Sequence, residues 1–203
     1  GSTAETGSPS STGHTGITGD TGSALPTIDC LAIPASPVSF NIVPGAKGYH
    51  GLVFTDAGTV IGSDNNSLIQ SDAAGAWSVF LPGTGSMEQL DRMPDGTIVG
   101  IKGGDIVSIA PTGATTVLGS VPNAYGIRVG PDEKIYVADW NRITRIDPVL
   151  GTVEVWLDPG GQFSPKVLDF SVDLTKMYVG SISQGGNVYV IDLDANFDPL
   201  GNP

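Results

Sequence analysis

Cysteine, basic residues, histidine and long apolar runs are all scarce in this chain, and each shortage closes off a class of function. One cysteine, Cys30, among 203 residues leaves no cysteine cluster for zinc and no second cysteine for a disulfide within the chain. Nine Lys and Arg stand against 21 Asp and Glu, a formal charge of −12. That balance provides no basic patch for the phosphates of nucleic acid or of an anionic membrane. No apolar run approaches the roughly 20 residues of a transmembrane helix, and no stretch sustains helical periodicity. The two histidines are His14 and His50, so a Ser-His-Asp triad would have to use His50, and no G-x-S-x-G elbow accompanies it. Nucleophilic hydrolysis and phosphate-loop chemistry are therefore not expected.

What is abundant is glycine, 29 residues, and proline, 15, a composition that suits many short strands joined by tight turns. A degenerate unit of about forty residues recurs along the chain, the period of four-stranded propeller blades. Its first strand and turn appear as GLVFTDAGT (51–59), QLDRMPDGT (89–97), GIRVGPDEK (126–134) and VLDFSVDLT (167–175). A second apolar strand follows each turn, at 60–62, 98–101, 135–138 and 177–180, and a third at 68–70, 106–109, 143–146 and 188–191. Outer strands read at 76–81, 115–118 and 153–157. The expected fold is all-β, a β-propeller with about four blades in this chain.

The fourth blade lacks a readable outer strand, because after Asp192 the chain runs into DANFDPLGNP (194–203). NFDPLGNP reads as a connection between blades. Before the first blade, SPVSFNIV (36–43) reads as an edge strand that could close a ring and remove an exposed sheet edge. Two architectures follow. Either residues 37–43 close a four-bladed ring, or the chain is the N-terminal part of a six-bladed ring completed by a complementary C-terminal chain or fragment. The second is favoured, because repeats near forty residues with this consensus resemble those of six-bladed families.

Three segments are expected: a flexible tether at 1–26, an N-terminal segment with the ring-closing strand at 27–45, and the blades at 46–203. The tether consists of Thr, Gly, Ser and Pro with five Thr-Gly pairs, and such a stretch cannot offset its ordering entropy by burial. It is similar to the spacers that follow a lipidated cysteine or signal peptide in exported bacterial surface proteins. An extracellular, periplasmic or cell-surface location follows as an expectation, with any export signal already removed. Cys30 then either packs as a small residue under the first strand or has its partner on a part of the protein outside this sequence.

The innermost strands of a propeller line its channel, and the residues just before them face its mouth. Those positions are His50, Glu88, Tyr125 and Lys166, with Asp91, Asn123 and Asp169 nearby. One polar group per blade converging on an axis is what a small ligand or an ion needs, and calcium takes six to eight oxygens. Asp64 with Asn66, and Asp139 with Asn141, repeat at the same blade position and read as turn caps. Asn123 after Pro122 is a turn former as well as a candidate ligand. Trp77 and Trp156 fall on outer strands where packing between blades is expected, whereas Trp140 lies on a loop and can meet a ligand.

The run GIRVGPDEKIYVAD (126–139) resembles the blade motif of the senescence-marker-protein-30/gluconolactonase superfamily and of its NHL-type and streptogramin-lyase relatives. The pattern covers about three quarters of the chain. By that resemblance Glu88, Asn123 and Asp169 would be metal ligands; Asp91 joins them by its place near the mouth, the cofactor would be calcium, and His50, by the chemistry of its imidazole, the catalytic base if the protein is an enzyme. The chain departs from the lactonases at Tyr49-His50, where they carry Glu-Gly-Pro, and at NAYGI (123–127), where they carry Asn-Gly-Leu. The expected function is a surface-tethered propeller that binds a divalent cation near its channel and serves as a binding or scaffold module for a small molecule or protein. The alternative is a metal-dependent lactonase- or lyase-like enzyme on the same site.

Overall fold

The computed structural model describes residues 51–182 and 186–201, all within one compact unit. The tether at 1–26, the segment 27–45 with its 36–43 strand, Cys30 and His50 lie outside the described residues. Within them the repeat folds as four antiparallel sheets without a helix. Blade one is β1 (Leu52–Phe54), β2 (Val60–Ser63), β3 (Ser67–Ser71) and β4 (Trp77–Pro82). Blade two is β5 (Leu90–Arg92), β6 (Ile98–Lys102), β7 (Asp105–Ile109) and β8 (Thr115–Ser120). Blade three is β9 (Ala124–Val129), β10 (Ile135–Asp139), β11 (Ile143–Asp147) and β12 (Thr152–Leu157). Blade four holds β13 (Pro165–Phe170), β14 (Lys176–Ser181) and β15 (Val188–Asp192). Strands pair in sequence order in every sheet, the meander of a β-propeller blade.

The turns carry their own chemistry. In each β1–β2-type hairpin the fourth turn residue adopts a left-handed backbone: Gly58, Gly96, Glu133 and Leu174. Each donates its amide to the carbonyl three residues earlier, Thr55, Met93, Gly130 and Ser171 respectively. Glycine takes this conformation freely, whereas a side-chain residue pays a steric penalty there. Asp64 and Asp139 cap their turns as expected, each accepting from the amide two residues on, at 2.7 Å from Asn66 and 2.8 Å from Asn141.

The end of blade four corrects the sequence expectation for residues 196–203. Asp72 N donates to Ala76 O and Gly75 N to Asp72 O in the β3–β4 turn, and Asp194 N to Asp198 O with Phe197 N to Asp194 O repeats that pattern. Phe197, with φ of 60°, stands where Gly75 stands. Pro199 then bridges Leu193, and Leu200 N donates to Asp192 O. This segment is therefore the hairpin that leads into the outer position of blade four, not a connection between blades. A phenylalanine at the left-handed position hides the turn from a reading that looks for glycine.

The core lies between blades. One apolar cluster joins Val53, Ile61 and Leu68 of blade one to Leu90, Ile98 and Val107 of blade two. A second joins Val99, Ile101 and Ile106 to Ile127, Ile135 and Val137 of blade three. A third joins Tyr136, Ile143 and Trp156 to Leu168, Met177 and Ile191 of blade four. The inner strands β1, β5, β9 and β13 follow one another side by side. Among the described residues no comparable packing returns from β13 to β1.

Replacing Leu174 by glycine should stabilise the protein, because the left-handed penalty of roughly 1–2 kcal/mol outweighs the roughly 0.4–1 kcal/mol that glycine adds to unfolded-chain entropy. Denaturant unfolding of Leu174→Gly is expected to show a higher midpoint with an unchanged slope. A lower midpoint would mean that Leu174 makes packing contacts worth more than the strain.

Candidate functional site

Two irregularities in the inner strands build the mouth. On β9, Gly126 pairs with Ala138 and Ala124 with Asp139, so Tyr125 is the extra residue of a bulge. On β13, Pro165 pairs with Ser181 and Val167 with Gly180, so Lys166 is the extra residue there. A bulge takes a side chain out of the alternation and re-aims it. These two positions are the ones that the repeat alignment places immediately before the inner strands of blades three and four.

The two blades approach closely at this level. A Cβ on Gly126 would fall 2.2 Å from the Lys166 carbonyl oxygen, so only glycine lets β9 lie so near β13. The Lys166 side chain crosses back over blade three. Its Nζ lies 3.6 Å from the centre of the Tyr125 ring and 3.8 Å from that of Trp140. Lys166 is only 4% exposed, while Tyr125 is 36% and Trp140 50% exposed. Trp140 is held by the turn around Asp139, whose carboxylate accepts from the Asn141 and Arg142 amides and pairs with the Arg142 guanidinium at 3.3 Å.

Burial holds the Lys166 ammonium below the usual lysine range, and the negative charge of Glu88 opposes that shift. Cation–π attraction to two rings also favours the charged form. The partners of Nζ that the structure gives are the two rings and the field of Glu88. The result is a charged, desolvated donor behind two half-open aromatic faces.

The carboxylates expected as metal ligands are placed differently. Arg128 on β9 reaches Asp169 on β13 at 3.1 Å and Asp91 on β5 at 3.7 Å, and its Nε donates to Leu168 O at 3.3 Å. Asp91 also accepts from the Val129 amide at 2.7 Å and the Arg92 amide at 2.9 Å. Burial pushes the Asp91 carboxyl above its ordinary range, while those amides and Arg128 pull the other way. Arg128 thus ties the inner strands of three successive blades, and both aspartates already face a cation. Asn123 is exposed with φ of 62°, the turn-forming arrangement. Glu88 lies near enough to Lys166 to act on its charge. Among the described residues no three His, Cys, Asp or Glu side chains gather as an ion would require. The described members of the expected set therefore do not by themselves form a calcium cage.

The cluster of Lys166, Tyr125 and Trp140 was not foreseen as a unit. Its signal was present in the equivalence of the positions before each inner strand, but selecting them for metal-binding chemistry passed over a lysine and two rings.

No protein-family model matches the chain, and no curated protein matches it in sequence. Solved structures do match. A streptogramin B lyase structure superposes with a TM-score of 0.57 at 20% identity, over 77% of this chain and 58% of the lyase. A gluconolactonase of Xanthomonas campestris gives 0.65 at 16%, over 74% of this chain and 60% of that one. An auxiliary nutrient binding protein of Bacteroides thetaiotaomicron gives 0.61 at 15%, over 77% and 41%. The chain spans less than two thirds of the length of each. These likenesses show the fold: a β-propeller of the kind shared by gluconolactonases and streptogramin lyases.

Removing Arg128 should leave Asp91 half-buried without its cation. Arg128→Met is expected to cost about 2 kcal/mol, between the values for exposed and buried pairs, and Arg128→Met combined with Asp91→Asn should recover part of it. Chemical denaturation of the single and double variants measures this. Additive losses would show that the two side chains do not interact.

Proposed function

We propose that the chain is the ligand-binding part of an exported, surface-tethered β-propeller that captures a small molecule at the mouth formed by Glu88, Tyr125, Trp140 and Lys166. The observation that carries this reading is Lys166, buried behind two partly open rings on bulged strands. A charged donor withdrawn from water and flanked by apolar surface is what a specific binding pocket needs, and it is an expensive feature for a fold to keep otherwise. The solved neighbours support ligand binding as such, since they include a nutrient binding protein and two kinds of enzyme. Export and tethering are supported by the composition of residues 1–26. No helix of the described residues is long and apolar enough to cross a membrane.

Calcium belongs to the same proposal in a restricted form. With Asp91 and Asp169 engaged by Arg128, an ion would draw on Glu88 and on groups outside the described residues, His50 among the candidates. The enzymatic alternative, lactonase- or lyase-like with His50 as base, is supported by the lyase and gluconolactonase neighbours. A complementary chain or further blades would complete the ring in either case.

Two measurements test these points. Trp140→Ala should abolish ligand-induced changes in melting temperature across a panel of sugars, sugar acids and small aromatic compounds, while leaving the unliganded melting temperature within a few degrees. A panel that shifts wild type and Trp140→Ala equally would move the ligand site elsewhere. For the ion, EDTA should lower the melting temperature and added calcium restore it, because a ligand bound only by the folded form stabilises it. Identical melting in both, with no metal found by elemental analysis, removes calcium from the proposal.

A further inference from the structure

Given that the mouth is a ligand site, we infer that Lys166 receives a single carboxylate and that the ligand is a ring-shaped sugar acid of the hexuronate class. The inference rests on three features of the mouth.

The first is the setting of the ammonium, 3.6 and 3.8 Å from the centres of two rings. It carries three N–H donors, and rings satisfy its charge better than its directional donors. Two carboxylate oxygens would supply acceptors of the right sign and strength.

The second is the shape and exposure of the neighbours. Tyr125 and Trp140 remain 36% and 50% exposed beside an ammonium that is 4% exposed. A ligand whose charge reaches Nζ must therefore lie along these rings. A pyranose has an apolar C–H face that packs against aromatic carbon, and its polar edge meets water and Glu88.

The third is the charge count. Arg128 is committed to Asp91 and Asp169, and Arg142 to Asp139, so neither competes with Lys166 for the anion. The chain carries −12 overall, and Glu88 adds its negative field beside Lys166. That field disfavours every charge beyond the one that Lys166 neutralises, so a monocarboxylate fits better than a phosphate dianion or an acidic polymer.

The test compares galacturonate with galactose, which differ at one carbon, by calorimetric titration and by tryptophan fluorescence. Galacturonate is expected to bind at least about tenfold more tightly, the effect of one charge-assisted contact. Lys166→Met should erase that preference, so that galacturonate binds no more tightly than galactose, and Lys166→Arg, which keeps the charge, should retain part of it. If Lys166→Met melts early, the arginine variant and the wild-type preference still decide. Equal binding of the two sugars overturns the carboxylate inference and leaves the mouth as a ligand site. Galacturonate binding that survives Trp140→Ala and Lys166→Met also overturns it, by placing the anion elsewhere. If neither sugar binds, the hexuronate class is wrong; the broader panel with Trp140→Ala then decides separately whether the mouth binds any ligand.

Discussion

A propeller blade is apolar on both faces, and a single four-stranded sheet cannot cover either. Every other feature of this protein depends on that constraint. The three apolar clusters each draw on two neighbouring blades, so the distance between inner strands is set by side-chain volume on both sides. Arg128 works within that spacing. Its guanidinium spans from blade two to blade four, and it can do so only because packing brings three inner strands within its reach. Its ion pairs are partly exposed and individually modest, but they fix register across blades where apolar packing alone tolerates sliding. The contact of Lys166 with Tyr125 and Trp140 lies at the same pair of strands and inherits that register.

The mouth shows how a repeat acquires a site without losing its fold. In a regular strand residues 125 and 166 would alternate in or out with their neighbours. One extra residue at each place frees both side chains from the pleat, and Gly126 allows the strands to close over the gap. The cost is a lysine taken from water. Two ring faces and the field of Glu88 offset part of it, and burial still holds the ammonium below its usual range. Each strand thus serves chemistry and packing two residues apart, at Tyr125 and Ile127 on β9 and at Lys166 and Leu168 on β13.

Strand positions were legible in the sequence because alternation, turn residues and the forty-residue period agree with one another. All fifteen strands fall on the apolar stretches, and Trp77 and Trp156 fall on outer strands. Turn chemistry was legible where aspartate caps or glycine marks the left-handed residue, and failed at Phe197, where neither the residue type nor its size announces such a backbone. The site was legible as a set of positions and not as a chemistry. Residue type pointed to carboxylates, but whether Asp91 and Asp169 face an ion or an arginine depends on a contact across blades, and no periodicity along one strand records it.

Tyr136 and Tyr178 hold equivalent places on the second strands of blades three and four, since Ile135 pairs with Val129 as Met177 pairs with Phe170. Tyr136 is fully buried between Trp156 of its own blade and Phe170 of blade four, edge-on at 5.2 and 5.3 Å, with its hydroxyl donating to Asp132 at 3.0 Å. Tyr178 has no blade beyond it among the described residues and is 41% exposed. Val190, the counterpart of Arg145, is open on the same face, as is Val188. Leu52 and Phe54 are open on blade one. Four blades closed on themselves would set one open face against the other, and among the described residues the packing does not do so. A blade set against β14 would bury Tyr178 as Phe170 of blade four buries Tyr136. Because the mouth lies where the inner strands begin, it does not depend on those faces: the partners given for Lys166 are Glu88, just before blade two, and Tyr125 and Trp140 of blade three.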